Sequence, residues 1–267
     1  MVNSLMVSDD DRRWTDRSLL RDVEYRTDAN LAARQSLYCW QHPQLNLPSR
    51  VLDLADLRGS ETITDVGCGN GAYLAELERR GHAGPVLGLD LSIGMLHAAR
   101  SRAPATILAA GDAAALPLRT AVCDLTVAAH MLYHLPQPSA VVRELRRITR
   151  PGGQVLVVLN GHDHLRELRD LINTAISSTS GSQRSYGERV QLDDGETLLA
   201  AEFSSVIRHD FTGELLIPGP GPVEDYVRSM TITRDQPDPD EFAAAVASLI
   251  PGDTFRVRTH TGCLVGH

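Results

Sequence analysis

Apolar positions follow two regimes along the chain. In the first part they recur at helical spacing, through Leu19, Leu20, Val23, Leu31, Leu37 and Tyr38. This predicts helix over 17–40, with Asp28 able to cap a segment over 29–39. A break at His42-Pro43 and Pro48 leads to a short helix over 49–57. From residue 63 short apolar runs alternate with amphipathic stretches. Strands are predicted at 63–66, 86–90, 106–109, 125–129 and 154–159. Helices are predicted at 72–80, at 92–102 behind a Ser92 cap, and at 140–149 before Pro151-Gly152-Gly153. A continuously apolar strand is covered on both faces. Strand–helix alternation implies right-handed crossovers and a parallel sheet.

After Asn160 the alternation loosens. Helices are expected over 164–177, 195–201, 223–230 and 241–249, with a polar loop over 178–189. Strands are expected over 203–211 and 255–265. Residues 1–15 read as a frayed end. The organisation expected is an N-terminal helical cap over 1–57. An α/β core over 58–267 follows, with substrate-side insertions at about 160–200 and 217–252.

Composition narrows the function. With 267 residues, 42% hydrophobic and 22% charged, the chain is globular and can bury a large core. A net charge of −8 gives no basic field for nucleic acid, so none is expected as a partner. All 26 basic residues are arginine, which excludes a Walker lysine, a lysine Schiff base and a lysine nucleophile. That usage fits a GC-rich bacterial source. Cys39, Cys68, Cys123 and Cys263 show no close pairing and read as reduced thiols. No apolar run approaches spanning length, and residues 1–16 lack the apolar core of a signal peptide. A cytoplasmic protein without a membrane partner, monomeric or homodimeric, is expected.

The chemistry collects at strand ends, where open parallel sheets bind ligands. Asp65 and the turn Gly67-Cys68-Gly69-Asn70-Gly71 follow the first core strand, and Asp90 closes the second. Gly111-Asp112-Ala113 follow the third, and Ala129-His130-Met131 the fourth. Bare backbone at the glycines lets a ligand approach closely, and the helix start aims N–H groups at it. Asp90 can accept two hydrogen bonds from ribose hydroxyls. Asp112 can accept from an adenine amine while the Ala113 amide meets a ring nitrogen. Leu91 and Met95 can cover the adenine face.

This ordered set resembles the S-adenosylmethionine-dependent methyltransferases with a Rossmann-like fold. The resemblance rests on Asp65-Val66-Gly67-Cys68-Gly69-Asn70-Gly71, Asp90, Gly111-Asp112 with Leu116-Pro117, Leu132-Tyr133-His134-Leu135 and Arg150-Pro151-Gly152-Gly153. It covers roughly 62–159. It implies a mostly parallel seven-stranded sheet with an antiparallel last strand, placed at 255–265. S-adenosyl-L-methionine is then the cofactor, and a small molecule with an O, N or C nucleophile the methyl acceptor. A secondary-metabolite tailoring step fits.

Within that reading Asp65 either orients the turn or meets the cofactor's amino group through water. His134 is the candidate base, and His130 a candidate cofactor-pocket residue. Tyr25 and Arg34 either fold over the pocket, covering the sulfonium and pairing with the methionyl carboxylate, or simply pack the cap. His162 and His164, flanking Asp163, read as solvated loop residues, and no metal site is expected. Two alternatives stay open. One is a non-catalytic S-adenosylmethionine-binding regulatory protein. The other is an NAD-dependent oxidoreductase, since Gly67-x-Gly69-x-x-Ala72 with Asp90 loosely matches a dinucleotide fingerprint.

Overall fold

A computed structural model describes residues 15–180 and 190–267. Apart from residue 15, the expected frayed end lies outside them, as does most of the polar loop expected over 178–189. Residues 178–180 instead finish a helix.

The described chain forms one mixed sheet of eight strands in the order β1-β7-β8-β6-β5-β2-β3-β4. The strands are β1 (Gln41–His42), β2 (Ile63–Val66), β3 (Val86–Asp90), β4 (Ile107–Ala110), β5 (Cys123–Ala129), β6 (Thr149–Asn160), β7 (Val206–Pro218) and β8 (Thr254–Gly266). From β4 to β6 every neighbour pair is parallel. β8 runs antiparallel between β6 and β7. The sheet therefore has the Rossmann-like methyltransferase arrangement, with one strand more than the seven expected. The addition is β1, which pairs Gln41 with Leu215 and His42 with Glu214 on β7. Two residues carry no readable period, so the sequence hid it.

The principal helices are α1 (Ala29–Ser36), α2 (Leu47–Leu52), α3 (Ala72–Arg79), α4 (Ile93–Arg102), α5 (Pro138–Ile148), α6 (Arg166–Ser180), α7 (Leu192–Ala200), α8 (Gly221–Arg228), α9 (Thr231–Arg234) and α10 (Pro239–Ser248). Residues 17–40 are not one helix. A short α-turn and a π-helical turn over Leu20–Glu24 end at Tyr25, and α1 restarts at Ala29. That interruption carries Tyr25 to the site.

Alternation along the strands sorts the core. Val155, Val157 and Leu159 of β6 pack with Leu264, under α5 and α7, in one buried cluster. Leu156 and Val158 pack on the other face with Cys263, Val265, Val51 and Leu77. Each such side chain contributes roughly 1.5–3 kcal/mol by leaving water.

A third core explains where the site lies. β6 pairs with β8 only from Val155↔Gly266 to Asn160↔Thr261. β7 and β8 stay paired as far as Pro218↔Thr254, so their ribbon overhangs the carboxyl edge of the sheet. Leu215, Ile217, Phe255 and Val257 on that overhang bury against Leu37, Ile172, Val227, Phe242 and Val246. Residues from 37–40, α6, α8 and α10 thus form a roof, and a cavity is left between roof and sheet edge.

Candidate cofactor and acceptor site

The cavity has a volume of about 760 Å³. Ligand pockets run from roughly 300 to 1,000 Å³, so it has room for more than one small ligand.

The glycine turn forms its floor. Gly67 takes φ 71° and Gly71 φ 78°, left-handed values that side chains disfavour. A Cβ on Gly67 would sit 3.0 Å from the Met131 side chain. Gly71 instead backs onto Ala99 of α4 and is not part of the cavity wall. Four of the turn's amides are already used. Gly67 and Cys68 donate to the Leu89 carbonyl at 2.7 and 2.9 Å, and Gly71 to that of Cys68 at 2.9 Å. Gly69 donates to Asp90 Oδ2 at 2.8 Å. The expected N–H groups are therefore turned inward at these positions. At these positions the turn offers a ligand close approach of its backbone.

Two carboxylates face this floor. Asp65 is 1% exposed, and neither oxygen has a hydrogen-bond partner among the described residues. Burial, reinforced by the Asp90 charge, pushes its carboxyl up to about 8. Because it accepts no hydrogen bond from the turn, Asp65 does not orient it. A buried carboxylate without a donor is costly, and a cationic ligand group would relieve it. Asp90 clamps the turn to the next helix, with Oδ1 accepting the Ser92 amide at 2.8 Å. Each Asp90 oxygen keeps a second lone pair for a ribose hydroxyl. Burial raises this carboxyl too, against its backbone hydrogen bonds.

Leu91, Met95, Gly111, Asp112 and Ala113 continue the wall beyond Asp90. Asp112 carries an ion pair with Arg17 at 2.6 Å, which the sequence did not signal. Its Oδ1 accepts the Ala114 amide at 3.0 Å.

The N-terminal segment closes one side. Ser92 Oγ donates to the Tyr25 carbonyl at 2.6 Å. The Tyr25 hydroxyl lies 2.9 Å from His134 Nε2, with the rings edge to face. Burial pushes the Tyr25 phenol up to about 12, so it stays neutral. Arg34 also lines the cavity, but it is ion-paired to Glu24, a carboxylate 3% exposed that also binds Arg234 and Thr231. Burial alone would raise Glu24, yet Arg34, Thr231 and Arg234 outweigh it and hold the carboxyl below its ordinary range. In this arrangement Arg34 holds Glu24 and the Ser229 carbonyl while also lining the cavity. The signal missed was a buried glutamate ten residues upstream.

Ala129 ends β5 and His130 follows it, both in the cavity wall. His130 takes φ 54°, an uncommon value for a side chain. Burial brings its imidazole down to about 4, so it is neutral. His164 departs from the solvated-loop expectation. It is 6% exposed, lines the cavity, and sits 2.8 Å from the Tyr38 hydroxyl. Its tertiary partners lie 126 and 96 residues away, so no local pattern marked it. His162 is exposed. Among the described residues no group of three His, Cys, Asp or Glu side chains can hold a metal.

Residues 64–157 match the family model described as a methyltransferase domain. Malonyl-[acyl-carrier protein] O-methyltransferase of Serratia marcescens is 33% identical over 127 residues, 48% of this chain and 49% of that protein. Demethylmenaquinone methyltransferase of Corynebacterium kroppenstedtii is 34% identical over 102 residues, 38% and 43% of the two chains. The chain thus spans about half the length, or less, of these curated relatives. Among solved structures, a Haemonchus contortus phosphoethanolamine N-methyltransferase bound to S-adenosylhomocysteine superposes with a TM-score of 0.58 at 16% identity. It covers 95% of this chain and 59% of that one.

Proposed function

We propose, from the premise that the chain belongs to the S-adenosylmethionine-dependent methyltransferases with a Rossmann-like fold, that it methylates a small molecule inside this cavity. The observation that carries the reading is Asp65, a buried carboxylate with no hydrogen-bond donor among the described residues, set beside the glycine turn. A ligand with an ammonium group fits that carboxylate. S-adenosylmethionine, when bound, supplies an electrophilic methyl group. Asp65 would receive its ammonium, Asp90 its ribose hydroxyls, and Asp112 with the Ala113 amide its adenine edge, between Leu91 and Met95.

The catalytic work of the chain is positioning and exclusion of water. The roof built on the β7–β8 overhang covers the carboxyl edge and keeps the reacting groups dry. Where the acceptor's nucleophile carries a proton, His134 takes it, with the Tyr25 hydroxyl fixing the imidazole. The cap over 1–57 and the insertions at 160–200 and 217–252 then set the acceptor. A tailoring step on a cytoplasmic metabolite suits this arrangement. No helix among the described residues is long and apolar enough to cross a membrane.

The test is calorimetry with S-adenosylhomocysteine, followed by methyl release from labelled S-adenosylmethionine over a panel of small molecules. Binding with turnover is expected. Binding without turnover on any acceptor would favour a regulatory protein, and binding of NAD in its place would sink the cofactor reading.

A further inference from the structure

The half of the cavity away from the glycine turn is walled by α6. Leu165, Leu168, Arg169 and Ile172 all reach it. At i, i+3, i+4 and i+7 they share one helix face. The three apolar members also belong to the roof core, and Met230 completes this part of the wall. Arg169 is half-buried on the same face.

Its guanidinium is only partly used. Nη2 donates to the His162 carbonyl, a neutral acceptor. Among the described residues no carboxylate comes within ion-pairing distance of Arg169, and Nε and Nη1 have no protein acceptor. Its acidic neighbours Asp163 and Asp170 instead face Arg166, at 3.7 and 3.9 Å. The other arginines of the wall differ. Arg17, Arg21, Arg34 and Arg79 each hold a carboxylate. Arg102 is exposed and donates to Asn70 of the glycine turn at 3.1 Å.

Charge is divided along the cavity. Its carboxylates, Asp65, Glu76, Asp90 and Asp112, all come from the core between β2 and the loop after β4. From Ala113 onward the only aspartate, glutamate or arginine in the described wall is Arg169. Burial, and then the neighbouring His130 and Arg169, bring the His164 imidazole down to about 3, so it is neutral. Asp65 responds to burial and to Asp90. The Arg169 charge therefore acts in the α6 half and not at the glycine turn. An apolar wall with one cation and no counter-ion suits an apolar ligand with one anionic group. The planar fork of arginine matches a carboxylate with two parallel hydrogen bonds. A single arginine suits a monoanion better than a doubly charged phosphate.

We propose that Arg169 binds a carboxylate on the methyl acceptor, whose apolar body lies against Leu168, Ile172 and Met230. This rests on the cofactor reading above, which fills the glycine-turn half with the methyl donor. Arg169 is a specificity residue on this account.

The experiment titrates the protein, loaded with S-adenosylhomocysteine, with three probes of one shape: 2-naphthoate, 2-methylnaphthalene and 2-naphthylmethylamine. The naphthoate is expected to bind about tenfold tighter than 2-methylnaphthalene, and the amine more weakly than either. Arg169→Met removes the naphthoate advantage and leaves 2-methylnaphthalene unchanged. Arg169→Lys, which keeps the charge without the fork, retains part of it. Added salt weakens the naphthoate alone. No preference for naphthoate, including no binding of any probe, would overturn the proposal. Equal weakening of naphthoate and 2-methylnaphthalene in Arg169→Met would reduce the arginine to packing and overturn it as well. S-adenosylhomocysteine affinity is expected to be unchanged in both variants. A tenfold loss in Arg169→Met would assign the arginine to the cofactor's own carboxylate and overturn the acceptor assignment. A wild type that binds no S-adenosylhomocysteine refutes the cofactor reading separately. The effect of Arg169→Met on naphthoate, measured without it, still decides the Arg169 assignment.

Discussion

The Tyr25 hydroxyl and His134 Nε2 sit 2.9 Å apart, although one belongs to the N-terminal segment and the other to the turn after β5. The contact joins the cap to the core at the point where chemistry is proposed. If His134 accepts the acceptor's proton, His134→Ala should lower kcat by about 10² or more. Tyr25→Phe, which keeps the ring, should lower it by about tenfold. Neither should change S-adenosylhomocysteine affinity greatly. A pH–rate profile unchanged by His134→Ala would exclude the histidine as base.

Asp65 makes a pH prediction. Its carboxyl is raised in the folded state to about 8, above the ordinary 3.8. The folded protein therefore holds this proton longer than the unfolded chain. The stability contributed by the proton is full below about pH 4 and is lost as pH rises to about 8, by on the order of 5 kcal/mol. Asp65→Asn should flatten that fall and raise the Tm of the ligand-free protein at pH 8. It should also weaken S-adenosylhomocysteine, whose ammonium loses its counter-ion. Binding by wild type at pH 7 should release protons, visible as a binding enthalpy that varies with buffer ionisation heat. An enthalpy independent of buffer would contradict the assignment.

Asp90 holds two amides at once, those of Gly69 and Ser92. Asp90→Ala removes this clamp together with the proposed ribose contacts. Calorimetry should show S-adenosylhomocysteine binding weakened about 100-fold, near 2.7 kcal/mol. An affinity equal to wild type would remove Asp90 from the site.

Gly94 tests how the N-terminal segment seats on α4. A Cβ there would lie 1.9 Å from the Arg26 carbonyl oxygen. In an isolated helix Gly→Ala is stabilising by about 1 kcal/mol. Here Gly94→Ala should displace residues 25–26, speed proteolysis in that segment and weaken ligand binding. A variant with higher Tm and unchanged binding would show that the contact is not needed.

The core from β2 to β6 was legible because its signals are local. Apolar runs, the Ser92 cap and the glycine turn act over a few residues, and they placed Asp65, Asp90 and Asp112 at strand ends. The roof was not legible. β7 was expected over 203–211 and extends over Val206–Pro218, because its far half is partnered by β8 some 40 residues away. The Arg34–Glu24 pair was not legible because nothing in the sequence marks Glu24 as buried. Tyr38, His164 and the amide of His260 meet only after the ribbon, α6 and the 37–40 turn have packed.

The position of β8 has a consequence for synthesis. Residues 254–266 are made after every other described strand, yet they belong in the middle of the sheet, between β6 and β7. Until they leave the ribosome, β6 and β7 each present an open edge. The three buried clusters also lack Phe255, Cys263, Leu264 and Val265. Open strand edges invite pairing with other chains. The nascent chain therefore carries aggregation-prone strand edges until its sheet closes.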